Sequence, residues 1–361
     1  MPLTQLQVQY LRNLTHVDIE PHKSLNLIYG NNGSGKTSLL EAIYYLGRGK
    51  SFKTPLADKL IQTGETLFTL FCRLNSPQSV NTPIGAQRER GESRFRINGR
   101  EITRAKSLTD LLAIQVIEPS LHSFFDLGPE IRRRFLEWGV FHVEPQYDHF
   151  VSLYRRGLAQ RNSALKAGWK RADVMNWDKS LVEAAEQVDL LRKSYLEKVN
   201  QFLASSCAAM PAYFEAISLE YYQGWSQELS FKDALDKSWE QDQRSGFTHA
   251  GPHRGDIRVK VGKQNAKDRL SRGEQKMFLC SLYIAQAQYL KGNGLKETIL
   301  MIDDLAAELD AENRQILFDL LIQAGCQTFI TATSDSITGH TEGQEGYHLF
   351  HVEHGEVRQV V

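Results

Sequence analysis

Near its start the chain reads Gly30-Asn31-Asn32-Gly33-Ser34-Gly35-Lys36-Thr37, and this segment decides the fold. It fits the pattern Gly-x-x-x-x-Gly-Lys-Ser/Thr at every required position. Before it, residues 25–29 have the apolar character of a strand, and after it Leu39, Leu40 and Ile43 recur at helical spacing. The order of strand, glycine-rich loop and helix predicts an α/β fold with a site for the phosphates of a nucleotide.

Each residue type in this phosphate loop (residues 30–37) has a chemical reason. Glycines let backbone N–H groups approach phosphate oxygens, and the N-terminus of the following helix favours negative charge. Lys36 is the candidate contact to the β- and γ-phosphates, Thr37 is the candidate ligand of Mg²⁺, and Ser38 joins the nucleotide-binding residues. A glycine-rich turn with a chance Lys-Thr pair would not explain the flanking strand and helix. The sequence therefore predicts ATP and Mg²⁺ as cofactors.

A matching carboxylate is expected at the end of another apolar strand. Residues 298–302 read Thr-Ile-Leu-Met-Ile and run directly into Asp303 and Asp304. Asp303 is the candidate to hold Mg²⁺, directly or through water, and Asp304 is the candidate to orient or deprotonate the attacking water. The alternative interpretation is that the two acids only end the strand and cap the next helix. Their combination with the phosphate loop favours nucleotide chemistry.

A third motif reads Leu270-Ser271-Arg272-Gly273-Glu274-Gln275-Lys276 and leads into an apolar helix. It resembles the LSGGQ signature of ABC-type ATPases, with Arg272 and Glu274 as departures. Ser271 and the backbone at Gly273 are then candidates to face a γ-phosphate from a helix N-terminus. A helix N-cap with an acid in the first turn explains the same residues. The order of phosphate loop, signature and acidic strand in one chain favours the ATPase interpretation.

The resemblance to ABC-type ATPases has implications for assembly. In that class the signature of one subunit faces the phosphate loop of another, which implies an ATP-dependent homodimer with two composite sites. Residues 305–310 align with the D-loop of the class, and its last acid corresponds to Asp310. Gln115, within the predicted strand 113–117, is the candidate for the Q-loop glutamine and hence for a catalytic role.

Two departures from the transporter ATPases concern the rate of hydrolysis. Asp304 stands where those proteins usually carry Glu, and residues 332–334 (Ala-Thr-Ser) lack the His that follows the corresponding strand. A shorter acid and a missing γ-phosphate partner predict a slow ATPase that serves as a switch. The single-turnover rate is expected to stay below about 10 per second.

The remaining sequence indicates how the chain is organised. Long helical patterns occupy about residues 129–210, whereas β patterns dominate before and after them. We therefore predict an α/β ABC-type ATPase head formed by residues 1–120 and 246–361, with a mostly helical arm subdomain at 121–245. The 361 residues include four scattered cysteines and no apolar run long enough to span a bilayer. These features predict a soluble, cytoplasmic protein without a disulfide framework or a zinc site.

Nearly the whole chain resembles the RecF family of bacterial recombination mediators, which is related to SMC-type ATPase heads. The resemblance rests on residues 10–14 (YLRNL), 33–38 (GSGKTS), 40–43 (LEAI), 118–119 (EP), 132–139 (RRRFLEWG), 160–165 (QRNSAL), 248–256 (THAGPHRGD) and 303–310 (DDLAAELD). It implies ATP-dependent DNA binding in DNA repair and replication. It also implies RecR and RecO as partners and the loading of RecA at DNA gaps.

The charge distribution is consistent with DNA as a partner without requiring it. Lys+Arg and Asp+Glu both number 43, so only a local patch could attract a polyanion. The most basic segment, residues 88–106, contains Asn98-Gly99, a pair that predicts a hairpin with a type I′ turn. The segment is either a contact to the DNA backbone or a solvated hairpin. Since no base-reading motif is evident, binding is expected to be independent of DNA sequence. The alternatives are a transporter ATPase and an SMC-type clamp head, for which the inserted segment is too short.

Overall fold

The structure is a computed structural model, and it describes residues 2–75, 81–118, 123–208, 210, 214, 216–292, 298–304, 309–335 and 346–361. The chain forms two compact units. The first comprises Met1–Leu121 with Lys276–Val361, and the second comprises His122–Gln275. In the part of the chain described, no helix combines the length and the apolar character that crossing a membrane requires.

Strands and helices are numbered along the chain. The strands are β1 (Leu3–Leu11), β2 (Leu14–Ile19), β3 (Leu25–Tyr29), β4 (Leu67–Leu74), β5 (Thr82–Glu89), β6 (Glu92–Ile97), β7 (Arg100–Ile102), β8 (Ala113–Ile117), β9 (Ile217–Tyr222), β10 (Asp256–Val261), β11 (Gln264–Asn265), β12 (Thr298–Ile302), β13 (Thr328–Ala332), β14 (Tyr347–Glu353) and β15 (Glu356–Gln359). The helices are α1 (Lys36–Arg48), α2 (Lys106–Leu111), α3 (Ser123–Asp126), α4 (Pro129–Val143), α5 (Tyr147–Lys166), α6 (Arg171–Cys207), α7 (Phe231–Ser245), α8 (Ala266–Arg269), α9 (Arg272–Gly292) and α10 (Ala311–Ala324).

The first unit is built on two six-stranded sheets. One is antiparallel, with the strand order β2-β1-β4-β5-β6-β7. The other has the order β15-β14-β3-β13-β12-β8, and all its pairs are parallel except the terminal pair of β14 and β15. Helix α1 belongs to the same unit. This mixed architecture confirms the predicted α/β fold.

One apolar core joins α1 to both sheets. Leu39, Leu40 and Ile43 of α1 are fully buried, because helical spacing places them on a common face. They share the core with inward-facing residues of the antiparallel sheet, such as Leu6 and Phe68. In β4 buried positions alternate with partly exposed ones, as expected for a sheet with one covered face.

The central strands β12 and β13 of the parallel sheet are buried along their whole length. This is expected of strands that are covered on both faces. Parallel strands end at a common edge, so residues that follow β3, β12 and β13 meet there. The register aligns Tyr29 with Ala332 and Ile302 with Ile330, which brings the phosphate loop and Asp303 to this edge.

The second unit contains α3 to α8 and the antiparallel strands β11-β10-β9. Its longest helix is α6, with 37 residues. An apolar core joins α5, α6 and α7 through buried residues such as Tyr154, Leu181 and Phe231. The long helices agree with the expected helical arm.

The second boundary of this unit differs from the predicted division. Residues 246–275 were expected in the head, yet they belong to the second unit. The physical reason is strand pairing, since β10 hydrogen-bonds along its whole length with β9. The sequence pattern shows that residues 256–261 form a strand, but it does not show which strand they pair with.

Candidate functional site

The phosphate loop leaves β3 and enters α1 through a backbone that requires glycine. Gly30 has φ 156° and Gly35 has φ 125°, which side-chain-bearing residues rarely adopt. A Cβ on Gly30 would also lie 2.2 Å from the carbonyl oxygen of Val352. Within the described residues, the N–H groups of residues 35–38 donate to no protein acceptor. A helix N-terminus with free donors fits the anionic oxygens of a nucleotide.

Thr37 and Asp303 meet at the edge of the parallel sheet, although 266 positions separate them in the chain. The Thr37 hydroxyl lies 2.9 Å from Oδ1 and 3.3 Å from Oδ2 of Asp303. Thr331, on β13, donates its own hydroxyl to Asp303 Oδ1 over 3.0 Å. Hydroxyl and carboxylate oxygens at this spacing are the donors that Mg²⁺ prefers. The two residues predicted to hold the metal are therefore adjacent.

Lys36 lies inside the phosphate loop. It is 4% exposed, and its ammonium donates to the carbonyl oxygens of Gly30 at 2.7 Å and Asn31 at 3.1 Å. The ammonium is thus held beside the carbonyl oxygens at the start of the phosphate loop. This is where the sequence pattern expects the charge that contacts the β- and γ-phosphates.

Asp304 combines a left-handed backbone conformation with a raised side-chain pKa. Its φ is 50°, and its backbone N–H donates to Thr331 Oγ1 over 2.8 Å. Burial raises the pKa of Asp304; the Lys36 charge lowers it, the Asp303 charge raises it and the Lys53 charge lowers it. One carboxylate oxygen, Oδ1, is buried without a partner in the described part of the protein. A carboxylate with a raised pKa and a free oxygen is suited to accept a proton from water.

The hairpin between β1 and β2 supports the phosphate loop, a contact that sequence reasoning missed. Asn13 donates to the Gly33 carbonyl at 3.0 Å and accepts from the Ser38 hydroxyl at 2.9 Å. Its neighbour Arg12 pairs with Glu41, a carboxylate of α1 that is 1% exposed. The signal in the sequence is small, because asparagine is common in tight turns and its presence there does not reveal a contact to the phosphate loop.

Lys53 is a second site residue that the sequence patterns did not single out. Its Nζ lies 3.1 Å from Asp303 Oδ2 and 3.9 Å from Glu118 Oε2. Lysines outside recognised motifs carry no signal of such proximity, because only the folded chain brings residue 53 to the end of β12.

Ser271 and Gly273 lie at the N-terminus of α9. The Ser271 N–H donates to Glu274 Oε2 at 2.6 Å, and Ser271 Oγ accepts from the Glu274 N–H at 3.4 Å. This is the capping box that the sequence also allowed. Ser271 remains exposed, and nothing lies within 4 Å of a Cβ placed on Gly273. The helix N-terminus is therefore accessible.

Two other predicted site residues have structural partners of their own. Asp310 is the N-cap of α10, where its side chain accepts from the Asn313 N–H at 2.8 Å. The preceding D-loop residues, 305–308, lie outside the described residues. Gln115 is buried and donates to the side chain of Gln286. It pairs with Leu300, three positions before Asp303 and about 10 Å along the strand, so the structure does not bring Gln115 to the phosphate loop.

The basic segment 88–106 forms strands of the antiparallel sheet. The predicted Asn98-Gly99 hairpin is confirmed, since β6 and β7 pair and both turn residues have positive φ. Several of its cations are exposed: Arg90, Arg94, Arg96, Arg100 and Arg104. Of these, Arg94 forms an ion pair with Glu92 over 3.0 Å. Exposed guanidinium groups on a hairpin can contact a nucleic-acid backbone.

The arginines that begin α4 are structural. Arg132 forms a two-point contact with Asp256, at 2.7 and 3.0 Å. Arg133 donates to the Gly255 carbonyl at 3.0 Å, and Arg134 pairs with Glu130 at 3.0 Å. Each of the three guanidinium groups therefore has a partner within the second unit.

His253 is part of the packing of the second unit. Its Nδ1 lies 2.6 Å from the Tyr154 hydroxyl, and its Nε2 lies 3.0 Å from the Thr248 carbonyl oxygen. A carbonyl can only accept, so Nε2 carries the proton and Nδ1 accepts from Tyr154. Burial lowers the pKa of His253 from 6.5 to about 4. The ring is therefore neutral and positions the turn before β10.

The pH dependence of stability should reveal this buried histidine. Below pH 6.5 the unfolded chain binds a proton at residue 253, whereas the folded chain does so only near pH 4. Stability must therefore fall as the pH falls through this window, by about 2 kcal/mol from pH 7 to pH 5 for this residue alone. In urea titrations, the unfolding free energy of His253→Gln should fall by about 2 kcal/mol less than that of the wild type between pH 7 and pH 5. Equal losses would contradict the assignment; His16→Gln, at an exposed position of β2, is the control.

Comparisons with known proteins identify the family of this chain. The sequence model of the family described as RecF/RecN/SMC N terminal domain matches residues 2–358. The DNA replication and repair protein RecF of Shewanella oneidensis is 37% identical over 358 residues, which cover 99% of each chain. The protein of the same name from Shewanella baltica is 38% identical over the same length.

Solved structures extend the similarity to the fold. The recombination mediator RecF with ATP, from the RecFOR pathway, superposes with a TM-score of 0.83 at 25% identity and covers 100% of this chain and 98% of its own. An SMC head bound to the C-winged helix domain of ScpA has a TM-score of 0.62 at 16% identity, covers 100% of this chain and 97% of its own, and shares the fold alone. The chain therefore belongs to the RecF/RecN/SMC N-terminal domain family and, within it, to the RecF proteins.

Proposed function

We propose that this chain is an ATP-dependent DNA-binding recombination mediator of DNA repair and replication. The observation that carries the proposal is the convergence of the phosphate loop, Thr37 and Asp303 at one edge of the parallel sheet. Its full-length relatives are named for DNA replication and repair, and a structurally similar RecF was solved with ATP. The residues present fit that nucleotide with its Mg²⁺.

The roles of the residues follow from their chemistry. The N–H groups of residues 35–38 and the Lys36 ammonium bind the phosphates. Thr37 and Asp303 would hold Mg²⁺, which would supply positive charge to the β- and γ-phosphates when bound. Asp304 orients the attacking water and accepts its proton. The shorter acid and the absence of His in residues 332–334 support slow turnover, because each removes a contact used by fast ATPases.

ATP acts in this proposal by joining two copies of the chain. Ser271 and the backbone at Gly273 of one copy complete the phosphate site of the other. The support is the exposed N-terminus of α9, whose dipole suits an anion. The closed dimer holds DNA, slow hydrolysis releases it, and RecR, RecO and RecA act with it at DNA gaps.

The test of the composite site is ATP-induced dimerisation. Size-exclusion chromatography with light scattering should show dimers with Mg²⁺ and ATP for the wild type, and monomers for Ser271→Arg and Lys36→Arg. Arginine at 271 places bulk at the surface that the second copy must approach, while it leaves the copy's own phosphate loop intact. Ser152→Arg, at an exposed position of α5, is the matched control. Unchanged dimerisation of Ser271→Arg would refute the composite site.

DNA binding is tested by salt titration with and without ATP. Contacts to phosphates predict binding that weakens steeply with salt and depends little on DNA sequence. We expect ATP to strengthen this binding in the wild type and not in Ser271→Arg. No DNA binding at low salt under either condition would reject the mediator function. A single-turnover rate above about 10 per second would reject its use of ATP as a slow switch.

A further inference from the structure

Lys53 lies in the short segment that follows α1, and its backbone is held in place. The Ser51 hydroxyl accepts from the N–H groups of Lys53 at 2.9 Å and Thr54 at 3.0 Å. The same hydroxyl donates to Glu41, the buried carboxylate that also pairs with Arg12. The position of residue 53 is thus fixed to α1, the helix that carries Thr37.

The ammonium of Lys53 reaches the acid that is expected to bind the metal. Its Nζ lies 3.1 Å from Asp303 Oδ2, and the side chains of the two residues are 35% and 4% exposed. The other oxygen of Asp303 accepts the hydroxyls of Thr37 and Thr331. Glu118, 3.9 Å from the same ammonium, completes the acidic side of the contact.

A divalent cation bound to Asp303 would lie close to the Lys53 ammonium, which already contacts this carboxylate. Ion-pair distances are only a few ångströms, so an ammonium and a metal on one carboxylate repel each other strongly. A nearly buried carboxylate also needs a positive partner, because an unpaired charge away from water is costly. Lys53 meets this need as long as no metal is bound.

We propose that the Lys53 ammonium occupies the cation position at Asp303 in the nucleotide-free protein and yields it to Mg²⁺ when MgATP binds. This inference rests on the proposed nucleotide site. Lys53 then acts as a positioning residue that holds the Asp303 carboxylate in place, and it sets the Mg²⁺ concentration at which the site accepts the metal. Glu118 offers the displaced ammonium an alternative partner.

The first experiment measures metal binding without nucleotide. Mn²⁺, visible by electron paramagnetic resonance, is titrated into wild type, Lys53→Met, Lys53→Arg and Lys59→Met. Removing the ammonium while keeping the apolar stem should tighten Mn²⁺ binding about fivefold, which is the upper end of the range for a partly exposed ion pair. Arginine keeps the charge and should bind Mn²⁺ as the wild type does. Lys59→Met, at an exposed position of the same unit, is the matched control.

The second experiment titrates Mg²⁺ in the presence of a fluorescent ATP analogue, mant-ATP. In Lys53→Met the Mg²⁺ concentration for half-maximal mant-ATP binding should fall by the same factor. The nucleotide-free Lys53→Met protein should also melt at a lower temperature than the wild type, since Asp303 has lost its cation.

Other outcomes overturn the inference. Unchanged or weaker Mn²⁺ binding by Lys53→Met would show that the ammonium does not compete with the metal. Weaker mant-ATP binding by this variant at saturating Mg²⁺ would make Lys53 a phosphate contact instead. A wild type that binds no mant-ATP at any Mg²⁺ concentration would reject the proposed function, and the Mn²⁺ titration would still decide the role of Lys53.

Discussion

Replacing Lys36 with methionine is expected to weaken ATP binding about 100-fold or more, the largest effect at the nucleotide site. The ammonium is held over the phosphate loop by the carbonyl oxygens of Gly30 and Asn31. Methionine has a similar shape but can neither donate to phosphate oxygens nor offset their charge. The measurement is mant-ATP binding at saturating Mg²⁺, and ATP-induced dimerisation should disappear with it.

The control for this prediction separates lost binding from lost folding. Lys59→Met removes an exposed lysine from the same unit and should bind mant-ATP as the wild type does. Both variants are checked by thermal unfolding without nucleotide, where cooperative transitions establish that the fold is intact. A Lys36→Met protein that is folded and binds mant-ATP within threefold of the wild type would show that the loop does not bind phosphates as proposed.

The largest expected loss of stability follows from Arg161→Met in the second unit. The Arg161 side chain is 1% exposed, and it pairs with Asp242 at 2.8 Å and Asp178 at 3.2 Å. It also donates to the Thr248 hydroxyl at 2.7 Å. Removing the guanidinium leaves the fully buried Asp242 without its arginine, which costs about 3–5 kcal/mol in the free energy of unfolding. Urea unfolding followed by circular dichroism measures the change.

Two further variants show whether the loss comes from the unpaired charge. Arg156→Met, on the exposed side of the same helix, should change the unfolding free energy by less than about 0.5 kcal/mol. Adding Asp242→Asn to Arg161→Met neutralises the abandoned carboxylate. The unfolding free energy of the double variant should therefore fall by less than the sum of the decreases in the two single variants. Strict additivity, or a loss below about 1 kcal/mol for Arg161→Met, would contradict a buried ion pair as the source of stability.

Local patterns were sufficient for the parts of the site that lie within one segment. The phosphate loop binds through its own backbone and the start of α1, so its spacing alone predicts its geometry. Asp303 was predicted because an acid that directly follows a buried strand lies at the end of that strand, beside the phosphate loop. The Asn98-Gly99 hairpin followed from turn chemistry that depends on two residues.

Local patterns failed where partners are distant in the chain. Gln115 is the candidate for the Q-loop glutamine, but the register of β8 against β12 places it about 10 Å before Asp303 along the strand. Residues 246–275 were assigned to the head because the β pattern resumes there. Their strand, β10, pairs with β9 instead and joins the second unit. Hydrophobic period identifies a strand, but it carries no information about which edge that strand will join.

The sequence by itself thus determined the α/β class, the phosphate loop, the two acids that follow β12 and the resemblance to RecF proteins. Each depends on residues that are neighbours in the chain or on the ends of parallel strands. Only the tertiary structure decided that Asn13 supports the loop, that Lys53 reaches Asp303 and that His253 is structural. These contacts join side chains from separate segments, and their distances are set by packing rather than by spacing in the sequence.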